Sequence, residues 1–230
     1  MLIARAGALL ACAVASTTLC GCLGTRVSAD TPAGVSLAGN WKLDPAASDD
    51  PHKVLAKMRA KAQEIINSAN AAAGRAPDPP PAGAAAGAAG PSPGAPHGPR
   101  RDPLAHSQTA HIVQSLLERG DHLTVVQKPD EMVFDYGTSR RSFTPGGHSV
   151  VSAEGGVGDQ TSGWNGKDYV INIKPQNGPA VTETYGLSPD GKHLLETLHI
   201  NQYELPFPVD VKRTYDPTTE TGPRQLSPAE

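Results

Sequence analysis

The chain is short of the residues that most protein chemistry draws on. Its three cysteines, Cys12, Cys20 and Cys22, all fall within the first 22 of 230 residues. Everything beyond Cys22 therefore folds without an internal disulfide, a Cys-based zinc site or a catalytic thiol. Aromatic residues make up 4% and hydrophobic residues 38%, little for a chain packed along its whole length. Glycine (24) and proline (22) together supply a fifth of the residues, against roughly 12% in average usage. Part of the chain thus reads as linker. The formal charge is −3, with no basic excess to suit a nucleic-acid partner. No phosphate loop or dinucleotide fingerprint occurs. Nothing points to a cofactor, and no catalytic set is visible, so an enzyme is the least supported class. One apolar run, Ala6 to Leu19, falls short of the ~20 residues of a membrane span.

What is present begins with that run. Arg5 is the one charge ahead of it, and its length is that of the apolar part of a secretory signal. It ends in Leu19-Cys20-Gly21-Cys22. This resembles the bacterial lipobox, in which an aliphatic and a small residue precede a Cys that becomes lipidated. The resemblance implies a lipoprotein signal over 1–21, with Cys22 carrying the lipid, palmitate included. Leu23, where Asp would signal retention, implies by the same resemblance the outer membrane, facing the periplasm. The membrane is then a partner through Cys22, which anchors the chain without spanning the bilayer. The alternative is an ordinary secretory signal cleaved nearby, for example after Ala29. Residues 22–35 read as a polar tether of about 14 residues, reaching at most roughly 50 Å.

Residues 36–44 read as a strand, with Leu37, Gly39, Trp41 and Leu43 on one face. Residues 45–120 interrupt the strand pattern. Asp50-Pro51 has the form of a helix start. From there to about Ala72, residues such as Val54, Leu55, Met58, Ala62 and Ile65 recur at helical spacing, so 45–72 holds an amphipathic helix. Its Lys53, Lys57, Arg59 and Lys61 can rest on an anionic surface; packing on a barrel mouth or a partner is the favoured reading. Residues 73–105 are rich in Ala, Pro and Gly and too poor in apolar residues to offset the entropy of ordering, so they read as a disordered linker. Residues 107–119 read as a short helix, capped by Ser107 and stopped by Gly120. Residues 121–216 are a run of nine short strands divided by turn signals, of which Asn165-Gly166 is the best. Met132/Phe134/Tyr136 and Tyr169/Ile171/Ile173 each define a face. The tail, 217–230, reads as flexible. The predicted class is mainly β: an antiparallel up-and-down meander or barrel of about 8–10 strands, with a helical, partly disordered insertion after the first strand. Such a meander either closes or leaves two edges, and closure removes the edges.

The two ends of the meander carry a second resemblance. Gly39-Asn40-Trp41 opens the first strand and Arg213-Thr214-Tyr215 ends the last. Together they resemble the calycin superfamily, the barrels of lipocalins and fatty-acid-binding proteins. There a Gly-x-Trp opens the first strand, and an Arg near the end of the last packs across that Trp. Fatty-acid-binding proteins also place a helical pair after the first strand, but a tight one; the Ala/Pro/Gly stretch here departs from that. The chain as a whole resembles a group of proteobacterial lipoproteins, which brings no activity with it. Strand periodicity independently puts Val209, Val211, Arg213 and Tyr215 on one face. An inward arginine needs a partner, because an unpaired buried charge is expensive. The Trp41 indole can supply one through a cation–π contact worth roughly 0.5–2 kcal/mol. The resemblance implies instead that Arg213 and Tyr215 hold a ligand carboxylate. Both remain open: Trp41, Arg213 and Tyr215 as barrel closure, or as ligand anchor. Glu183 and Glu196 also face inward, and either can pair with Arg213.

Other groupings carry less. His193 and His199 share a strand face and His106 and His111 flank a helix start, without the converging ligands that a metal needs. Arg140 and Arg141 can touch lipid phosphates, though neighbours on a strand face opposite ways. Asp49 and Asp50 sit at a helix cap. Two functions follow as expectations. One is an anchored envelope lipoprotein whose barrel binds a small apolar or acidic ligand. The other is a structural or interaction module of the envelope with a solid core and no ligand.

Overall fold

The computed structural model describes residues 27–74, 102–154 and 156–220. Cys22 and its neighbours, most of the Ala/Pro/Gly stretch, and the last ten residues lie outside them. Strand β1 (Gly39–Leu43) is followed by helix α1 (Pro51–Ala72), helix α2 (Gln108–Ser115) and a 3₁₀ turn, Leu116–Arg119. Then come β2 (His122–Gln127), β3 (Met132–Asp135), β4 (Arg140–Phe143), β5 (His148–Ala153) and β6 (Gly156–Asn165). β7 (Asp168–Pro175), β8 (Val181–Leu187), β9 (Leu194–Ile200) and β10 (Val209–Pro217) complete one antiparallel sheet.

The strand order is β4-β3-β2-β1-β10-β9-β8-β7-β6-β5. Each strand lies beside its sequence neighbour, and β1 pairs with β10, Leu43 opposite Tyr215. The fold is thus a mainly β, ten-stranded meander. It curls so far that Phe134 on β3 stacks on Tyr185 of β8, ring centroids 4.0 Å apart. Closure by hydrogen bonds stops short: β4 and β5 are the ends of the order and do not pair. The edges expected to vanish on closure persist, facing each other across a gap.

Both ends of the half-barrel are covered. At one end, α1 presents Leu55, Met58 and Ala62, and α2 presents Ala110 and Val113, to Val181, Leu198, Ile200 and Val211 of the sheet. α1 starts at Asp50, whose carboxylate accepts from the His52 amide at 2.9 Å, with Pro51 in the first turn. α2 starts at Ser107, whose hydroxyl accepts from the Ala110 amide at 3.1 Å. The stretch read as linker is structured where it is described after the gap: Leu104 is buried in this same cluster. Arg59 pairs with Asp102 at 3.0 Å, and Lys61 sits over the Phe207 ring at 4.2 Å. The basic face of α1 is thus partly engaged by the chain itself.

The opposite end is crossed by residues 27–37. Ser28 forms an antiparallel bridge with Trp164, its amide donating at 2.7 Å and its carbonyl accepting at 2.8 Å. Glycines make room for this segment: a Cβ on Gly163 would stand 2.5 Å from the Ser28 carbonyl, and one on Gly146 would stand 2.8 Å from Ala29 Cβ. Leu37 is fully buried and its amide donates to Gln127 Oε1 at 2.8 Å. The polar tether read over 22–35 is therefore packed onto the sheet from Val27 onward. The tail likewise continues the fold as far as Glu220, which pairs with Lys42 at 2.9 Å.

Replacing the α1 cap, Asp50→Ala, should lower the stability of the chain by ~1 kcal/mol in urea unfolding, since the cap serves one orphaned amide of a helix otherwise held by its buried stripe.

Candidate functional site

Side chains alternate along β8, β9 and β10, so Glu183, Glu196 and Arg213 point inward with the apolar residues around them. All three are buried. They lie between two apolar clusters, one under the helices and one around Trp41, Phe134 and Trp164. Two carboxylates in such a place must be matched by cations.

Arg119 supplies most of the match. It is the last residue of the 3₁₀ turn, before Gly120 turns the chain away with φ 68°. Its Nη1 donates to Glu196 Oε1 at 2.6 Å and its Nη2 to Glu183 Oε1 at 2.8 Å. Arg141, on β4, donates to the other oxygen of Glu183 at 2.5 Å, across the interior of the half-barrel. Three phenols complete the belt. Tyr215 donates to Glu196 Oε2 at 2.6 Å. The Tyr185 hydroxyl lies 3.1 Å from Glu183 and 3.2 Å from Glu196, and 2.8 Å from the Tyr136 hydroxyl.

Burial alone would push the Glu183 carboxyl up, but the guanidiniums of Arg119 and Arg141 outweigh it and hold Glu183 down to about 2. Burial likewise opposes the charge on Arg119, and Glu183, Tyr136 and Glu196 more than restore it. The phenols of Tyr136, Tyr185 and Tyr215 are pushed up by burial and then by the carboxylates, so they act as donors and not as phenolates.

Arg213 and Tyr215 both lie inside, buried. Arg213 Nη2 donates to the Gly120 carbonyl at 2.9 Å. Its Nη1 has no hydrogen-bond partner and stands 3.8 Å from Glu196. The ring beside its guanidinium is that of Tyr215, centroid 5.3 Å away, where the sequence pointed to Trp41. Trp41 is buried in the lower cluster and donates its indole N–H to the Leu37 carbonyl at 3.1 Å. Cys22 lies outside the described residues. The sequence reading had Glu183 and Glu196 but missed Arg119 and Arg141 as their partners. The signal was there: two inward carboxylates on apolar faces call for cations, and Arg141 shares a face with Phe143.

Beside the belt is a cleft of about 830 Å3, within the roughly 300–1,000 Å3 range of small-molecule sites. It occupies the gap between β4 and β5, and Arg119, Arg141 and Glu183 form part of its lining. Phe143, Val151 and Ile173 give it apolar surface, and Ser139, Ser152 and Gln160 are among its polar groups. The arrangement can bind a molecule that is apolar along its body and polar or acidic at one end. Three guanidiniums face two carboxylates in the belt, which leaves one positive charge in surplus.

The histidines form ordinary surface pairs: His193 with Asp216 at 2.7 Å and His199 with Asp210 at 2.6 Å. Among the described residues no group of three or more potential ligands could hold a metal ion.

No family model and no curated protein matches this chain. Among solved structures it is similar to apo lipid binding protein 8 of Caenorhabditis elegans, with 13% identity and a TM-score of 0.45 over 81% of this chain and all of that one. It is similar to the REP1-NXSQ fatty acid transporter, with 12% identity and a TM-score of 0.41 over 80% of this chain and 98% of that one. A secretary abundant heat soluble protein of Ramazzottius varieornatus matches with 12% identity and a TM-score of 0.39, over 80% and 97% of the two chains.

Because Glu183 is held at about 2 against an ordinary 4.5, the folded chain binds fewer protons there than the unfolded one between those values. Its contribution to stability is full above about pH 4.5 and lost as pH falls toward about 2. Acid unfolding followed by circular dichroism should show that loss, and Arg141→Gln should move it to higher pH. Arg119→Ala, which leaves both carboxylates undercompensated, should cost roughly 3–5 kcal/mol in urea unfolding.

Proposed function

We propose that this chain is a lipid-anchored envelope protein, tethered through Cys22 to the outer membrane on its periplasmic side, that carries a small apolar or acidic molecule in the cleft between β4 and β5. The observation that carries the reading is the cleft itself. The sheet has the curvature to close, yet its two edges stay apart over a space large enough for a ligand. That space combines apolar wall with guanidinium. Arg119 and Arg141 can meet an acidic end of the ligand, although Glu118 and Glu183 in the same lining balance their charge, so the apolar wall carries more of the reading than the charge does. The anchor is supported by Leu19-Cys20-Gly21-Cys22 at the end of the apolar run.

A second reading has an observation of its own. The centre of the half-barrel is filled: Phe134 stacks on Tyr185 and the belt spans the interior. A solid envelope module with no ligand would have such a core.

Native mass spectrometry of the full chain, extracted in detergent, separates the two. The carrier reading expects a bound small molecule that leaves on collisional activation. Val151→Trp, which narrows the cleft from β5 and removes none of the belt's own side chains, should cut its occupancy at least ~10-fold. An empty protein in repeated preparations would favour the solid module. An unmodified Cys22 in the intact mass would remove the anchor.

A further inference from the structure

We propose that the end of the half-barrel crossed by residues 27–37 faces the bilayer, and that the helical end points away from it. The inference rests on the anchoring of Cys22 proposed above; the orientation comes from the seat of Ser28 on β6.

Strand directions divide the hairpin turns into two sets. The β2–β3, β4–β5, β6–β7 and β8–β9 connections lie at the end crossed by residues 27–37, and the β3–β4, β5–β6, β7–β8 and β9–β10 connections lie at the helical end. Ser28 is held at the first end by its two hydrogen bonds to Trp164 in β6. The close approach of Gly163 and Gly146 makes this a fitted seat. Only residues 23–26 separate Cys22 from Val27. Five residue steps reach ~18 Å at full extension.

The wall of the barrel is longer than that. β10 runs nine residues, which at ~3.3 Å per residue is ~30 Å. A tether starting at Ser28 therefore cannot carry the lipid along the wall to the helical end. Charge does not set the orientation. The turns at the anchored end carry Lys128, Lys167 and Lys192, but each has an acid nearby in sequence: Glu131, Asp168 and Asp190. Lys128 and Glu131 are paired at 2.8 Å. The covalent tether and its seat on β6 do the orienting. The cleft is lined largely from the helical half, by Arg119, Thr138 and Ser152 among others, so this orientation keeps most of its lining away from the bilayer.

The test is energy transfer from the full lipidated chain to a headgroup-labelled lipid in phosphatidylethanolamine–phosphatidylglycerol vesicles. The donor is placed at Lys167→Cys, in the β6–β7 turn, or at Tyr203→Cys, in the β9–β10 connection. Both positions are exposed, and a lipidated Cys22 does not take the label. Transfer from position 167 should exceed that from 203 several-fold. A long glycine–serine insertion after Gly24, which leaves the described fold untouched, should bring the two together. Equal or reversed transfer in the uninserted chain, with Cys22 shown by mass to be lipidated, would overturn the orientation and leave the anchor standing. A difference that survives the insertion would overturn the tether as its cause. An unmodified Cys22 would overturn the anchor, and the orientation with it.

Discussion

Arg119 holds the interior together. One guanidinium reaches both Glu183 and Glu196, and it arrives from the helical insertion, not from the sheet. Two buried carboxylates on adjacent strands repel each other and are costly to desolvate. The sheet brings Arg141 to Glu183 and Tyr215 to Glu196, and docking of the insertion adds the one cation that joins both carboxylates. The helices are therefore more than an apolar lid: they deliver the charge that lets β8 and β9 bury acids. The apolar contacts of α1 and α2 with the sheet and the contact of Arg119 with the belt stabilise the same arrangement, so sheet and insertion are expected to be coupled in folding.

The same constraint decides where a ligand has room. The belt crosses the interior between two apolar clusters, and Phe134 and Tyr185 close the centre by stacking. What space remains lies to the side, where β4 and β5 fail to pair. Arg141 looks into it from one edge while paired with Glu183. A ligand anion there would meet a cation already partnered, Arg141 with Glu183. Binding by exchange within that network asks for less reorganisation than opening the filled core would.

The fold was legible in the sequence to an unusual depth, because each signal is local. Alternation with period two places Met132 and Phe134, or Val209 and Val211, on a common face whatever the strand pairs with. Asn165-Gly166 turns the chain at β6–β7, with Gly166 at φ 62°. Asp50-Pro51 starts α1. The site was legible only by half. Periodicity turned Glu183, Glu196, Arg213 and Tyr215 inward but could not name their partners. Arg119 stands 64 residues from Glu183 and 77 from Glu196, and it follows a helix stripe whose period gives no hint of where its tip lies. Arg213 meets the Tyr215 ring and the Gly120 carbonyl, and periodicity could name neither. Arg213 and Tyr215 alternate on the same strand, whereas Trp41 turns its N–H to Leu37.

By itself the sequence determined which residues alternate, where helices start, where the chain must turn, and that nothing beyond Cys22 can use a thiol. These follow from local backbone geometry and from composition. The tertiary structure alone decided that the barrel stays open between β4 and β5, that one arginine serves two carboxylates, and that residues 27–37 are held at Ser28 by β6 and at Val35 and Leu37 by Gln127 of β2. Each of these depends on how far the sheet curls, which sums the twist of ten strands and the volume of the side chains between them. No window of the sequence contains that sum. The seat of Ser28 on Trp164 is of the same kind: two backbone hydrogen bonds between residues 136 positions apart, which no local pattern announces.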